Sequence, residues 1–325
     1  MGKQKKSSNA RASAFGWMFQ SSAGWYLFLD NIRETISIKM EGQNEDIEIT
    51  LEDNSIIYAQ AKSVEKPTDT GNNLSKLKDA LRTLSNCKKS VSKLIYITNI
   101  LNPLNSKFAT LYNQTTSFEY FACEKDKQLI KKNVESDFPL EKFQIVRFNF
   151  FGDNLNERYK DIHQKTREFL VEAGLPSDKA VKIFSEWKDL FVENNSQKCS
   201  LKKTQMVFPL ILVIIENNNL EDKYNRVCSL GMYDDIYGNY NDILHKMQRS
   251  SEFFIKVCGD YQKEFIQGGD HIEEYVRSNW EKYSEDFSDI VKDGQLLESF
   301  IKLLLLSILL RRRDINNIKR ATNLK

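Results

Sequence analysis

Residues 45–63 place two acids, an amide and a lysine at spacings that can do chemistry on a phosphodiester. Two runs of alternating apolar and polar residues flank a polar turn. The first opens on Glu45 and Asp46, and the second closes on Gln60 and Lys62. Metal-dependent hydrolysis needs acids to hold a divalent cation, and a lysine one strand away to serve the attacking water. Side chains alternate faces along a strand, so Ile47, Ile49 and Leu51 share one face and Asp46, Glu48 and Thr50 the other. In the second run Ile57, Ala59 and Ala61 form the apolar face, and Tyr58, Gln60 and Lys62 the polar one.

A hairpin must keep the two apolar faces on the same side, because a one-residue slip flips every side chain. That excludes a two-residue turn at Asp53-Asn54 and favours a three-residue loop, Asp53-Asn54-Ser55, with Asn54 or Ser55 left-handed. The predicted pairs are Asp46 opposite Lys62 and Glu48 opposite Gln60, with Cβ atoms roughly 5 Å apart. Carboxylate, amide and ammonium then share one patch. The same pattern also reads as a solvated strand face carrying a surface ion pair.

The elements around this hairpin must position it. A helix is predicted over 14–35, with Phe15, Met18, Phe19, Trp25, Leu29 and Ile32 on one stripe and small residues at Gly16, Ala23 and Gly24. A strand follows at Ile36–Glu41. After the hairpin come an amphipathic helix over 74–89, a buried strand at Lys93–Ile100, and strands at Phe118–Cys123 and Phe143–Phe150 around a basic helix near Lys125–Lys132. Beyond Gly152 the periods are almost all helical. The reading is a basic disordered tail over 1–13, an α/β domain with a mixed sheet over 14–153, and a helical domain over 154–325.

The chain has 325 residues, a hydrophobic fraction of 41%, a charged fraction of 28% and a net charge of +2. This is the composition of a soluble globular protein, and a nucleic-acid surface would have to come from local clustering. The 5 cysteines are widely spaced and the 3 histidines scattered, which argues against a zinc site, a disulfide framework or a triad and suits a reducing cytoplasm. The apolar runs Met206–Ile215 and Phe300–Leu310 are half the length of a membrane span. They read as buried helices, the second ending in Arg311-Arg312-Arg313 at its C-terminus. No membrane association is expected.

The order helix, strand, strand, strand, helix, strand, with acids on the second strand and Gln60-x-Lys62 on the third, resembles the restriction-endonuclease-like fold, the PD-(D/E)XK superfamily. The residues Gly16-Trp-Met-Phe-Gln20, Glu41, Glu45-Asp46-Ile-Glu-Ile and Gln60-Ala-Lys62-Ser are similar to a bacterial branch of anti-phage DNA endonucleases. In that branch the domain is joined to a cyclic-oligonucleotide sensor or a partner-binding region, and the Lamassu-type nuclease subunit belongs to it.

The resemblance implies roles. Asp46 is then the central ligand of Mg²⁺ or Mn²⁺, with Glu41 and Gln60 completing the set and Glu48 a weaker candidate. Gln60 stands where many relatives carry an acid. Lys62 orients the attacking water or stabilises charge on phosphorus, and Gln20 supports the site from the first helix. Lys76, Lys78, Arg82, Lys88 and Lys89 offer a path for double-stranded DNA, each phosphate contact adding salt dependence. The implied partners are an SMC-like ATPase and an accessory subunit, bound by the helical half, which could also form a homo-oligomer. A scaffold that keeps the fold without catalysis, and an RNA nuclease, stay open.

Overall fold

A computed structural model describes residues 4–66, 71–104, 117–119, 124–195, 199–216, 220–228, 233–246, 250–265 and 271–324. The chain divides into two compact units, one of residues 1–169 and 184–203, the other of 170–183 and 204–325.

The first unit carries the sheet. Its elements are α1 (Gln4–Asn31), β1 (Thr35–Met40), β2 (Ile47–Leu51), β3 (Ile56–Lys62), α2 (Asn73–Leu84), β4 (Val91–Thr98), β5 (Ser117–Glu119), α3 (Glu124–Lys131), β6 (Phe143–Arg147), the short α4 (Leu155–Arg158), and most of α5 (Lys160–Glu172) and α6 (Ala180–Asn195). A two-residue strand β7 (Leu201–Lys202) closes the list. The strands order as β5-β6-β4-β3-β2-β1-β7. β1, β2 and β3 form an antiparallel meander, and β3, β4 and β6 run parallel. The tail predicted over 1–13 is helical from Gln4 onward; no Gly or Pro interrupts residues 4–13, and Ala10, Ala12 and Ala14 favour helix. Of the strand predicted at Phe118–Cys123, residues 120–123 lie outside the described residues.

Two layers of helix bury the sheet. On one face Leu77, Leu81 and Leu84 of α2 pack with Tyr58, Leu94, Tyr96 and Ile145. On the other, Phe19 of α1 stacks on Phe148 at 5.0 Å. The polar face of β3 is therefore not a solvated face: Gln60 lies beneath α2 with 4% exposure. Gly24 explains one small residue of α1, since a Cβ there would meet Sδ of Met40 at 2.9 Å. Gly16 has open space instead.

The sheet unit does not stop at residue 153. Trp25 donates its indole N–H to Thr166 at 2.9 Å and packs against Trp187 at 4.6 Å, which ties α5 and α6 to α1. Chain beyond the expected boundary also supplies β7, paired with β1.

The second unit is helical: α7 (Lys203–Ile215), α8 (Glu221–Val227), α9 (Tyr233–Lys246), α10 (Glu252–Glu264), α11 (Ile272–Asn279), α12 (Gly294–Leu310) and α13 (Arg312–Thr322). The two apolar runs lie in α7 and α12 and are buried. Among the described residues, no helix is long and apolar enough to cross a membrane. Arg311 caps α12, but Arg312 and Arg313 open α13, so the basic run straddles a helix end and a helix start.

Candidate active site

The hairpin register differs from the predicted one by two residues. Glu48 faces Tyr58 rather than Gln60, and Ile47 faces Ala59. The loop is Glu52-Asp53-Asn54, closed by Leu51 N–H donating to the Ser55 carbonyl at 2.9 Å. Asp53 accepts from the Ser55 amide and hydroxyl at 2.9 and 2.6 Å, and Asn54 takes the left-handed turn at φ 63°. The sidechain cap on Ser55 pulls the loop one residue earlier. Because the shift is by two, every face is preserved, and Gln60 rather than Lys62 lies beside Asp46.

Asp46 sits just before β2, and one carboxylate oxygen collects three groups. Gln60 donates its carboxamide N–H to Oδ2, the Ala61 amide donates at 2.9 Å, and the Lys62 ammonium lies 3.8 Å away. Burial raises the Asp46 carboxyl above its ordinary value, against the pull of Lys62 and of the Ala61 amide. Gln20 reaches from α1: its N–H₂ donates to Glu41 Oε1 at 2.8 Å and to the Asp46 carbonyl at 3.1 Å. Glu41 is exposed and left-handed at φ 49°. A non-glycine residue held there costs on the order of 1–3 kcal/mol, and such strain concentrates at functional sites.

Behind Asp46 a hydrogen-bonded chain runs beneath α2. The Thr83 hydroxyl lies 2.9 Å from Gln60 Oε1 and 3.4 Å from Glu45 Oε2. The Cys87 thiol donates to Glu45 Oε1 at 3.6 Å. Burial pushes the Glu45 carboxyl up to about 7, with the charge of Asp46 adding to it. Glu45, one of the two acids that open the first run, stands behind the site rather than in the ligand set, a place strand alternation does not specify for a residue in the turn before β2. The only signal was its place beside Asp46.

A cleft of about 640 Å³ opens over this cluster. Gln20, Asp46, Lys62, Lys66 and Lys76 line it, together with Phe15 and Gly16 of α1. Gly16 thus leaves room in the cleft wall rather than admitting a neighbouring element.

Several predicted site residues stand elsewhere. Glu48 turns back to accept the Asn44 amide at 2.9 Å, which fixes the turn between β1 and β2. Of the five predicted DNA contacts only Lys76 lines the cleft, with its ammonium bonded to the Ser63 carbonyl. Arg82 pairs with Asp79 at 3.0 Å, and Lys88 with Glu135 and Asp137 at 3.2 and 2.9 Å. Lys78 and Lys89 are exposed but outside the cleft. Lys66, not singled out in the sequence, takes their place.

The donor set can be tested for a divalent cation. Asp46, Glu41 and the Gln60 amide are hard oxygen donors of the kind Mg²⁺ accepts, and that ion needs few protein ligands because it keeps several waters. The described residues hold no group of three or more His, Cys, Asp or Glu side chains arranged for a metal. The fit is therefore to a lightly held cation, and it requires the Gln60 amide to turn its oxygen from Thr83 toward Asp46. No family model, curated protein or solved structure matches the chain.

Proposed function

We propose that the chain is a Mg²⁺- or Mn²⁺-dependent endonuclease acting on DNA, with its site at Asp46, Gln60 and Lys62. The observation that carries this reading is the convergence of carboxylate, amide and ammonium at the end of two adjacent strands inside a cleft whose cations are Lys62, Lys66 and Lys76. Three cations against two carboxylates, Asp46 and Glu65, leave a positive balance that suits a phosphodiester, whose negative charge they neutralise.

In this reading Asp46 and Gln60 hold the cation, with Glu41 reaching it through solvent or directly. The cation supplies charge neutralisation and a more acidic bound water. The protein's own groups do the rest. Lys62 stands beside Asp46 to orient the attacking water and to stabilise charge on the phosphoryl oxygens. Gln20 holds Glu41 and the Asp46 backbone in register. Once the Gln60 amide has turned, the Thr83 hydroxyl would accept its N–H while donating to the buried Glu45. Lys66 and Lys76 lie where the flanking backbone phosphates would run.

The resemblance set out above extends the reading to a nuclease subunit of bacterial anti-phage defence, cytoplasmic, gated by assembly with an ATPase and an accessory subunit. Near-neutral net charge supports weak intrinsic DNA affinity and a need for such partners.

The test is a substrate panel of supercoiled plasmid, linear duplex, single-stranded DNA and RNA, incubated with the purified chain plus Mg²⁺ or Mn²⁺, and with EDTA. It is repeated with the genomic neighbours present. Metal-dependent cutting of DNA supports the reading. Cutting confined to RNA transfers the site to an RNA nuclease, and no cutting in any arm favours the scaffold.

A further inference from the structure

The second unit carries a pocket of about 620 Å³ between α10 and α13. Four cations line it, Arg312, Arg313, Lys319 and Arg320, and among the described residues no carboxylate does. Among the described residues none of the four pairs with an acid, whereas the neighbouring Arg311 pairs with Asp314 at 3.6 Å. The chain's net charge is only +2, so this is a strong local concentration.

Helix stability accounts for part of the arrangement: Lys319 and Arg320 lie in the last turn of α13, where the dipole favours cations, and Arg312 donates to the Leu309 carbonyl at the end of α12 at 2.9 Å. It does not account for Arg313, which opens α13 where the dipole disfavours a cation. Lys319 follows Arg312, and Arg320 follows Arg313, by two turns of the same helix, about 10.5 Å along its axis. The four therefore form two adjacent stripes along α13, both lining the pocket. The remaining wall is neutral: Tyr261, Gln262 and Phe265 from α10 and its end, and Asn316 and Asn317 from α13. Arg312 lies over the Tyr261 ring at 5.5 Å. Cys258 at the base is inert, since burial pushes its thiol up to about 12 despite the nearby Arg312 and Lys319. A thiol held neutral is a poor nucleophile.

We propose that this pocket binds a nucleotide-sized ligand carrying two or more phosphates. Four cations around one pocket match a ligand with several phosphates better than one inorganic ion. The volume falls in the range of small-ligand sites, about 300–1,000 Å³. The rings and amides offer contacts to a base or sugar.

The test is calorimetric titration of the full chain, without added metal, using ATP, tripolyphosphate, adenosine and a short DNA duplex as separate probes. ATP and tripolyphosphate should saturate and adenosine should not bind. The double variant Arg313→Glu/Lys319→Glu should weaken ATP at least tenfold. The exposed Lys292→Glu should leave it unchanged. Tripolyphosphate binding as tightly as ATP would still support the phosphate site and deny the base any contact. The proposal is overturned by no saturable binding of either polyphosphate, or by equal ATP binding in the double variant. It is also overturned by binding of the duplex alone, which would make the surface a nucleic-acid contact. Circular dichroism on the double variant separates lost binding from lost folding.

Discussion

The Gln60 side-chain oxygen accepts a hydrogen bond from the Thr83 hydroxyl at 2.9 Å, so the amide presents its N–H to Asp46. This one relationship sets the character of the site. An acid in place of Gln60 would present a second negative charge to Asp46. The amide instead satisfies the carboxylate internally, and must turn to serve a cation.

Gln60→Glu tests that balance. Without a divalent cation, two carboxylates would face each other in a buried position, where an uncompensated charge is costly. The variant should lose on the order of 1–3 kcal/mol of stability in EDTA. Mg²⁺ should then raise its melting temperature more than it raises that of the wild type. Equal melting shifts on adding Mg²⁺ would deny position 60 a part in holding the cation.

Glu41→Gly separates function from folding at a strained position. Glycine adopts the left-handed backbone at φ 49° without penalty, so thermal stability should hold or rise by up to about 1 kcal/mol. The Gln20 anchor at 2.8 Å disappears with the carboxylate. Cleavage should fall while the melting temperature does not. A variant both stable and fully active would reduce Glu41 to a turn residue.

Much of this was legible in the sequence. The period-2 runs located β2 and β3, and the polar turn chemistry narrowed the left-handed residue to Asn54 or Ser55, of which Asn54 takes it. Parity fixes register only to within two residues, and the choice fell to the Asp53 cap on Ser55, a side-chain contact that no periodicity encodes. The lysines near α2 looked like a track because they cluster in sequence. Arg82 instead pairs with Asp79, and Lys88 with Glu135 and Asp137 about fifty residues away, while Lys76 faces the cleft. The place of Arg312 and Arg313 was misjudged because a new helix starts at once after α12, with no Gly or Pro to mark the break.

His163 should make the protein acid-sensitive. It is buried between Tyr159 and Phe184, and burial, with Arg167 and Lys188 nearby, lowers its pKa from the ordinary 6.5. The unfolded chain then binds the proton more readily than the fold. Stability is complete above about pH 7 and declines as pH falls through the ordinary value toward the lowered one. His163→Phe keeps the aromatic packing and removes the titration. Denaturant midpoints at pH 7.5 and 5.5 should converge in the variant relative to wild type; the same acid loss in both would clear His163.

We propose that Asp46 and Lys62, 3.8 Å apart at the strand ends, form a phosphodiesterase site. Its most direct test compares wild type, Asp46→Asn and Lys62→Ala in Mg²⁺-dependent plasmid cleavage with the genomic neighbours present, each variant checked for native circular dichroism. The account predicts nicking and linearisation by the wild type and at least a hundredfold loss in both folded variants. Cleavage that survives either substitution, or a wild type that leaves every plasmid supercoiled, would contradict it.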